Sequence, residues 1–126
     1  MVLSFGQAST IHSGSMSTIG RAGFATIAPS NASEHGVISL TKVAALEYAD
    51  KNIQVNAFAP GAVDTPMLRR AAEAFGLTCE QIERDYPIKR IVRPEELATV
   101  VMWLSSPESS AVTGTDVDAS GGYLTG

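Results

Sequence analysis

The sequence is poor in cysteine, in aromatic residues and in charge. Cys79 is the only cysteine of the 126 residues, aromatic residues make up 6% and charged residues 17%. A lone cysteine excludes an internal disulfide, and Cys79 has no partner motif for zinc or for nucleophilic work, so it reads as a small side chain on a helix. That usage fits a reducing compartment, and the expected localisation is the cytoplasm. No apolar run approaches the ~18 residues of a membrane span. The start, Met1-Val2-Leu3-Ser4-Phe5, has neither the basic nor the long apolar region of a signal peptide. Net charge is −4, and the basic groups Leu68-Arg69-Arg70 and Lys89-Arg90 are short and sit among acids. They form no stripe for a phosphate backbone, so no nucleic acid and no membrane is expected as a partner.

What is present suffices for one domain with a buried core, expected to span residues 1–126. Residues 1–12 are weakly patterned, with Thr10-Ile11 as a possible strand end. Residues 13–28 are small and polar, the composition of tight loops. A helix is expected over about 30–50, with Val37, Leu40, Thr41, Ala44 and Tyr48 on one face. Pro29 suits its first turn, and Asn31 with Glu34 matches a capping box. After a turn at Lys51-Asn52, residues 53–59 alternate Ile53 and Val55 with polar Gln54 and Asn56, which predicts a strand stopped by Pro60-Gly61. A helix followed so closely by a strand predicts a βαβ unit and a parallel sheet.

Residues 62–92 read as an irregular insertion. It holds a helix from Pro66 to Phe75 closed by Gly76, and a short helix opened by Thr78 and Gln81 that ends before Tyr86-Pro87. Arg93-Pro94-Glu95-Glu96 opens a further helix with Leu97, Val100, Val101 and Leu104 as its buried stripe. A short strand is expected at 115–119, before Ser120-Gly121-Gly122.

In order and spacing, several blocks match a known family. They are Ala32-Ser33-Glu34-His35-Gly36-Val37 with Leu40-Thr41-Lys42, then Ile53-Gln54-Val55-Asn56-Ala57 running into Pro60-Gly61-Ala62-Val63-Asp64-Thr65-Pro66-Met67. Arg93-Pro94-Glu95-Glu96-Leu97-Ala98 and the closing Asp118-Ala119-Ser120-Gly121-Gly122 complete the set. With these blocks the chain resembles the C-terminal half of a short-chain dehydrogenase/reductase. The resemblance implies an α/β fold: the last three strands and flanking helices of a partial Rossmann-like, doubly wound parallel sheet. It also implies NAD or NADP as cofactor, a carbonyl or alcohol substrate and homo- or hetero-oligomers. The Gly-rich phosphate turn of such proteins, G-x-x-x-G-x-G or G-x-G-x-x-G after a strand, is missing from these residues.

In the family, a tyrosine acts as general acid/base, and a lysine four residues on lowers its pKa and holds the nicotinamide ribose. A serine upstream bonds the substrate oxygen. The i, i+4 spacing puts cation and phenol on one helix face. Alignment here puts Ser30 in the tyrosine position and Glu34 in the lysine position. An aliphatic hydroxyl is a far weaker acid than a phenol, and a carboxylate raises a neighbouring hydroxyl's pKa. Tyr48 and Lys42 are too distant to substitute, at roughly 27 Å from Ser30 and 12 Å from Glu34 along a helix axis. The serine position is open between Ser17 and Ser15. If Ser15 holds it, His12 stands for the strand-end asparagine. Either serine also reads as a loop hydroxyl bonding its own backbone. Pro60, Gly61, Val63 and Thr65 match the nicotinamide-side contacts, and also read as a strand stop and a helix cap.

The expectation is an oxidoreductase by ancestry, inactive as this isolated chain. The alternatives are a non-catalytic subunit docking on a full-length relative, or a truncated gene product. A serine hydrolase is disfavoured because Gly14-Ser15 lacks the G-x-S-x-G elbow.

Overall fold

The structure, a computed structural model, describes residues 8–13 and 28–125. Three strands, β1 (Ala8–Ser13), β2 (Ile53–Pro60) and β3 (Asp116–Ala119), form one parallel sheet in the order β1-β2-β3. Helix α1 (Ala28–Tyr48) joins β1 to β2. Helices α2 (Pro66–Ala74), α3 (Cys79–Asp85) and α4 (Pro94–Leu104) lie between β2 and β3. This is the expected α/β parallel architecture.

Local chemistry sets most boundaries. The Thr65 hydroxyl accepts from the Leu68 N–H at 3.3 Å and caps α2, with Pro66 in its first turn. Gly76, at φ +66°, ends α2 in a Schellman motif: Gly76 N–H donates to Glu73 O and Leu77 N–H to Ala72 O. Thr78 and Gln81 form a reciprocal capping box on α3. At α4 the Glu96 carboxylate accepts from the Arg93 N–H and pairs with Arg90 at 2.7 Å. The Arg90 hydrogen bond, then the Arg93 N–H, hold the Glu96 pKa down from 4.5 to about 2.

Two expectations need correction. Helix α1 begins at Ala28 rather than about residue 30, so Asn31 lies inside the helix rather than at its N-cap position. The face of α1 turned inward carries Thr41 and Ala45, both buried, whereas Leu40 is 67% exposed and Tyr48 is also exposed. Residues 41 and 45 are one turn apart, and their small side chains let the helix approach closely: a Cβ at Gly114 would lie 3.2 Å from Ala45 Cβ. The polar residues of β2, Gln54 and Asn56, are buried. A strand of a parallel sheet is covered on both faces, so alternation in β2 does not mark a solvent side.

Those two residues fix the segment before β3. Gln54 Nε2 donates to Ser109 O at 2.6 Å and to Val112 O at 3.1 Å. Asn56 Nδ2 donates to Val112 O at 2.9 Å, and its Oδ1 accepts from Thr115 N–H at 3.3 Å. Leu104, with no exposed surface, is the buried residue of α4, and Leu97, Val100 and Val101 of the expected stripe are half-buried. Burying a leucine in this way contributes about 2 kcal/mol.

Candidate functional site

In a parallel sheet all strands end on one side, and ligands bind in the crevice beyond those carboxyl ends. Here the ends are Ser13, Pro60 and Ala119; Pro60 pairs with Ala119, and Ser13 with Phe58. Because α1 leaves β1 and returns to the start of β2, its first turns lie at this same end. Ser30 and Glu34 are in those turns, with only their backbone described. His12 is in β1, likewise by backbone only, and Ser15 and Ser17 lie outside the described residues.

Pro60 ends β2 and leads into a half-buried loop. Gly61 is pressed between two neighbours: a Cβ there would lie 2.6 Å from Ser120 O and 2.7 Å from Tyr86 Cε1. Glycine is therefore required by internal packing, whatever else approaches the loop. Ala62 N–H donates to the Tyr86 hydroxyl at 2.8 Å. Val63 forms a parallel bridge with Val92, in which Asp64 N–H donates to Val92 O and Val92 N–H to Ala62 O. Thr65 then caps α2, and Asp64 pairs with Arg69 at 2.6 Å on the surface.

The opposite end of the sheet accounts for Lys42. It interacts electrostatically with Asp116, the first residue of β3, so it lies towards the amino ends of the strands. Burial and then Asp118 raise the Asp116 pKa, and Lys42 opposes them. Lys42 is thus remote from the first turns of α1.

Tyr86 is the residue sequence reasoning passed over. It is buried, and its ring meets that of Tyr123 at 4.9 Å. One signal was available. A tyrosine before a proline is held extended, and a helix ending there delivers the ring back towards the sheet. Among the described residues no group of three His, Cys, Asp or Glu is placed to hold a metal. No helix among them is long and apolar enough to cross a membrane.

A half-sheet of parallel strands, with a glycine-requiring loop at their carboxyl ends, places the chain in the class of Rossmann-like α/β folds. The family model described as enoyl-(acyl carrier protein) reductase matches residues 5–124. The chain belongs to the short-chain dehydrogenase/reductase family. It is 41% identical over 107 residues to a cyclohexanol dehydrogenase of Acinetobacter sp. (strain SE19), covering 85% of this chain and 40% of that protein. It is 43% identical over 91 residues to the short-chain dehydrogenase srdC of Neurospora crassa, covering 72% of this chain and 34% of that protein.

Among solved structures it resembles a C-terminal deletion mutant of Thermoplasma acidophilum aldohexose dehydrogenase, with TM-score 0.83 and 30% identity over 95% of this chain and 52% of the other. It also resembles the F189W actinorhodin polyketide ketoreductase with NADPH, with TM-score 0.82 and 34% identity over 93% and 47%. The chain spans 34–40% of the length of the first curated relatives it matches.

Proposed function

We propose that the chain is an oxidoreductase scaffold of this family that does not by itself transfer hydride. The observation that carries this reading is the identity of two residues in the first turns of α1. Ser30 and Glu34 stand where the family's tyrosine and lysine are expected. A phenol near pKa 10 must be lowered by a nearby cation to exchange a proton near neutrality. A serine hydroxyl beside a carboxylate has the opposite electrostatics.

The cofactor of the class is NAD or NADP, supplying or accepting the hydride when bound, and relatives have been solved with NADP or NADPH. The residues here fit only its nicotinamide side. Pro60, Gly61, Val63 and Thr65 form the platform, and Ser17 or Ser15 belongs to the substrate side. Within the platform, the Ala62 and Asp64 N–H groups are already bound to Tyr86 and Val92. The Thr65 hydroxyl oxygen already accepts from Leu68 N–H. Without a Gly-rich turn, nothing in the sequence cradles the pyrophosphate, so no catalytic step is assigned. The residues 1–126 are read as one partial domain with a substrate lobe at 62–92, acting in the cytoplasm.

Titration of the purified chain with NADH and NADPH is expected to show no submicromolar binding by fluorescence. The double variant Ser30→Tyr/Glu34→Lys is expected to show no turnover of carbonyl substrates. Tight binding by the parent chain, or turnover by the variant, overturns the reading.

A second reading, a subunit docking on a copy of itself or on a full-length relative, is favoured by the outer face of α1. Leu46 is 84% exposed beside exposed Leu40 and Val43, and a Cβ at Gly36 would meet nothing. Gly36, Leu40 and Val43 follow i, i+4, i+7, so they share one stripe. Burying a stripe of this kind favours association. Leu46→Glu is expected to shift the chain towards monomer in sedimentation. An unchanged distribution of oligomers counts against this face.

A further inference from the structure

We propose that Tyr86 is a positioning residue: it fixes the Pro60–Thr65 loop to the lobe and to the C-terminal turn, so that the three move as one body. The ligand consequence rests on the reading of that loop as the nicotinamide platform; the mechanical coupling does not.

Three segments converge on this tyrosine. From β2, Ala62 N–H donates to its hydroxyl at 2.8 Å, and Gly61 lies so close that any Cβ would strike the ring. From the C-terminal turn, Tyr123 stacks against it at 4.9 Å with the rings tilted by 34°. The residues following Tyr86 complete the contact. A Cβ at Gly121 would lie 2.5 Å from Ile88 Cδ1, and one at Gly122 3.2 Å from Pro87 Cβ. Lys89, at φ +56°, turns the chain back, with its N–H donating to Tyr86 O at 2.9 Å. Six residues after Tyr86, Val92 N–H donates to Ala62 O at 3.0 Å.

Both backbone groups of Ala62 are therefore held by the lobe's return, one by Tyr86 and one by Val92. A shift of the lobe must carry Ala62, and with it the peptide between Gly61 and Val63. Ring and hydroxyl have separable parts. The ring fills the space over Gly61 and supports Tyr123, whereas the hydroxyl alone supplies the acceptor for Ala62 N–H. Phenylalanine keeps the first and deletes the second.

The test is amide hydrogen exchange by NMR on the full chain, comparing the parent, Tyr86→Phe and Tyr123→Leu. Core amides of Val55 and Ala57 serve as the reference for global opening. Tyr86→Phe is expected to speed exchange at Ala62 by roughly fivefold or more beyond that reference, the factor for one net hydrogen bond. Tyr123→Leu, which keeps the acceptor, is expected to speed Ala62 and Asp64 together and to weaken the tyrosine band in near-UV circular dichroism. Ala62 exchange that tracks the core in both variants overturns the proposal and leaves Tyr86 a space-filling residue. Adding NADPH to the parent chain at millimolar concentration, where the weak binding expected of the platform alone still registers, separates the two layers. No shift in the amides of 61–65 defeats the platform reading while the exchange result still decides the coupling.

Discussion

Gly61→Ala is expected to cost about 3 kcal/mol, at the upper end of what one extra methyl costs in a packed interior. The added Cβ would lie 2.6 Å from Ser120 O and 3.0 Å from Ser120 Cα, as well as 2.7 Å from the Tyr86 ring. A flexible side-chain tip would swing aside, but a backbone carbonyl that follows β3 cannot move without dragging the strand end. Relief must come from the Tyr86 side, where it breaks the bond to Ala62. A domain of this size is stabilised by only about 5–15 kcal/mol, so the loss shows plainly as a lower urea midpoint. Stability within about 0.5 kcal/mol of the parent, the range of ordinary surface substitutions, would refute it.

Asn56→Asp is expected to have a comparable effect, with a pH signature. Asn56 is only 1% exposed, and its Nδ2 donates to Val112 O at 2.9 Å. The substitution turns that donor into an acceptor facing a carbonyl and buries a charge. About 3 kcal/mol is lost at neutral pH. Burial disfavours the carboxylate, so the folded pKa of Asp at position 56 lies above its unfolded value near 3.9. The protonated form is the tolerated one. Relative to the parent, the variant is therefore most stable below the unfolded pKa and loses stability as pH rises through the folded one. Unfolding midpoints of both proteins across acidic to neutral pH measure this, and a difference independent of pH would contradict the account.

Both substitutions act where the sequence pattern was least informative. The helices and strands were legible because their signals are local. Thr65 and Pro66 start α2, Gly76 ends it, and Thr78 with Gln81 starts α3, each within four residues of its partner. The inward stripe of α4, buried at Leu104 and half-buried at Leu97, Val100 and Val101, followed from helical periodicity for the same reason. The alternation in β2 identified the strand but left the burial of Gln54 and Asn56 open, because its period separates two faces without saying whether both are covered. Gln54 and Asn56 look like solvent-facing residues until the segment 109–115, over fifty residues away, is seen accepting and donating at their amides. The inward face of α1 was legible in part: Thr41 is buried as its periodicity implied, whereas Leu40 and Tyr48 are exposed. Leu40 has the hydrophobicity for burial, but Thr41 and Ala45 have the size that the sheet and Gly114 allow.

The sequence by itself determined the family and the parallel α/β architecture, and it carries the proposal that Ser30 and Glu34 stand at the family's tyrosine and lysine positions. All of these are carried by residue identity and short spacing. Only the tertiary structure decided why Gly61 must be glycine, that Tyr86 is its buried partner, and that Lys42 lies towards the far end of the sheet. The reason is distance along the chain: Gly61 meets Tyr86 and Ser120 only when the lobe has returned and β3 has paired beside β2. No local rule of spacing reports on contacts that form only after those segments have come together.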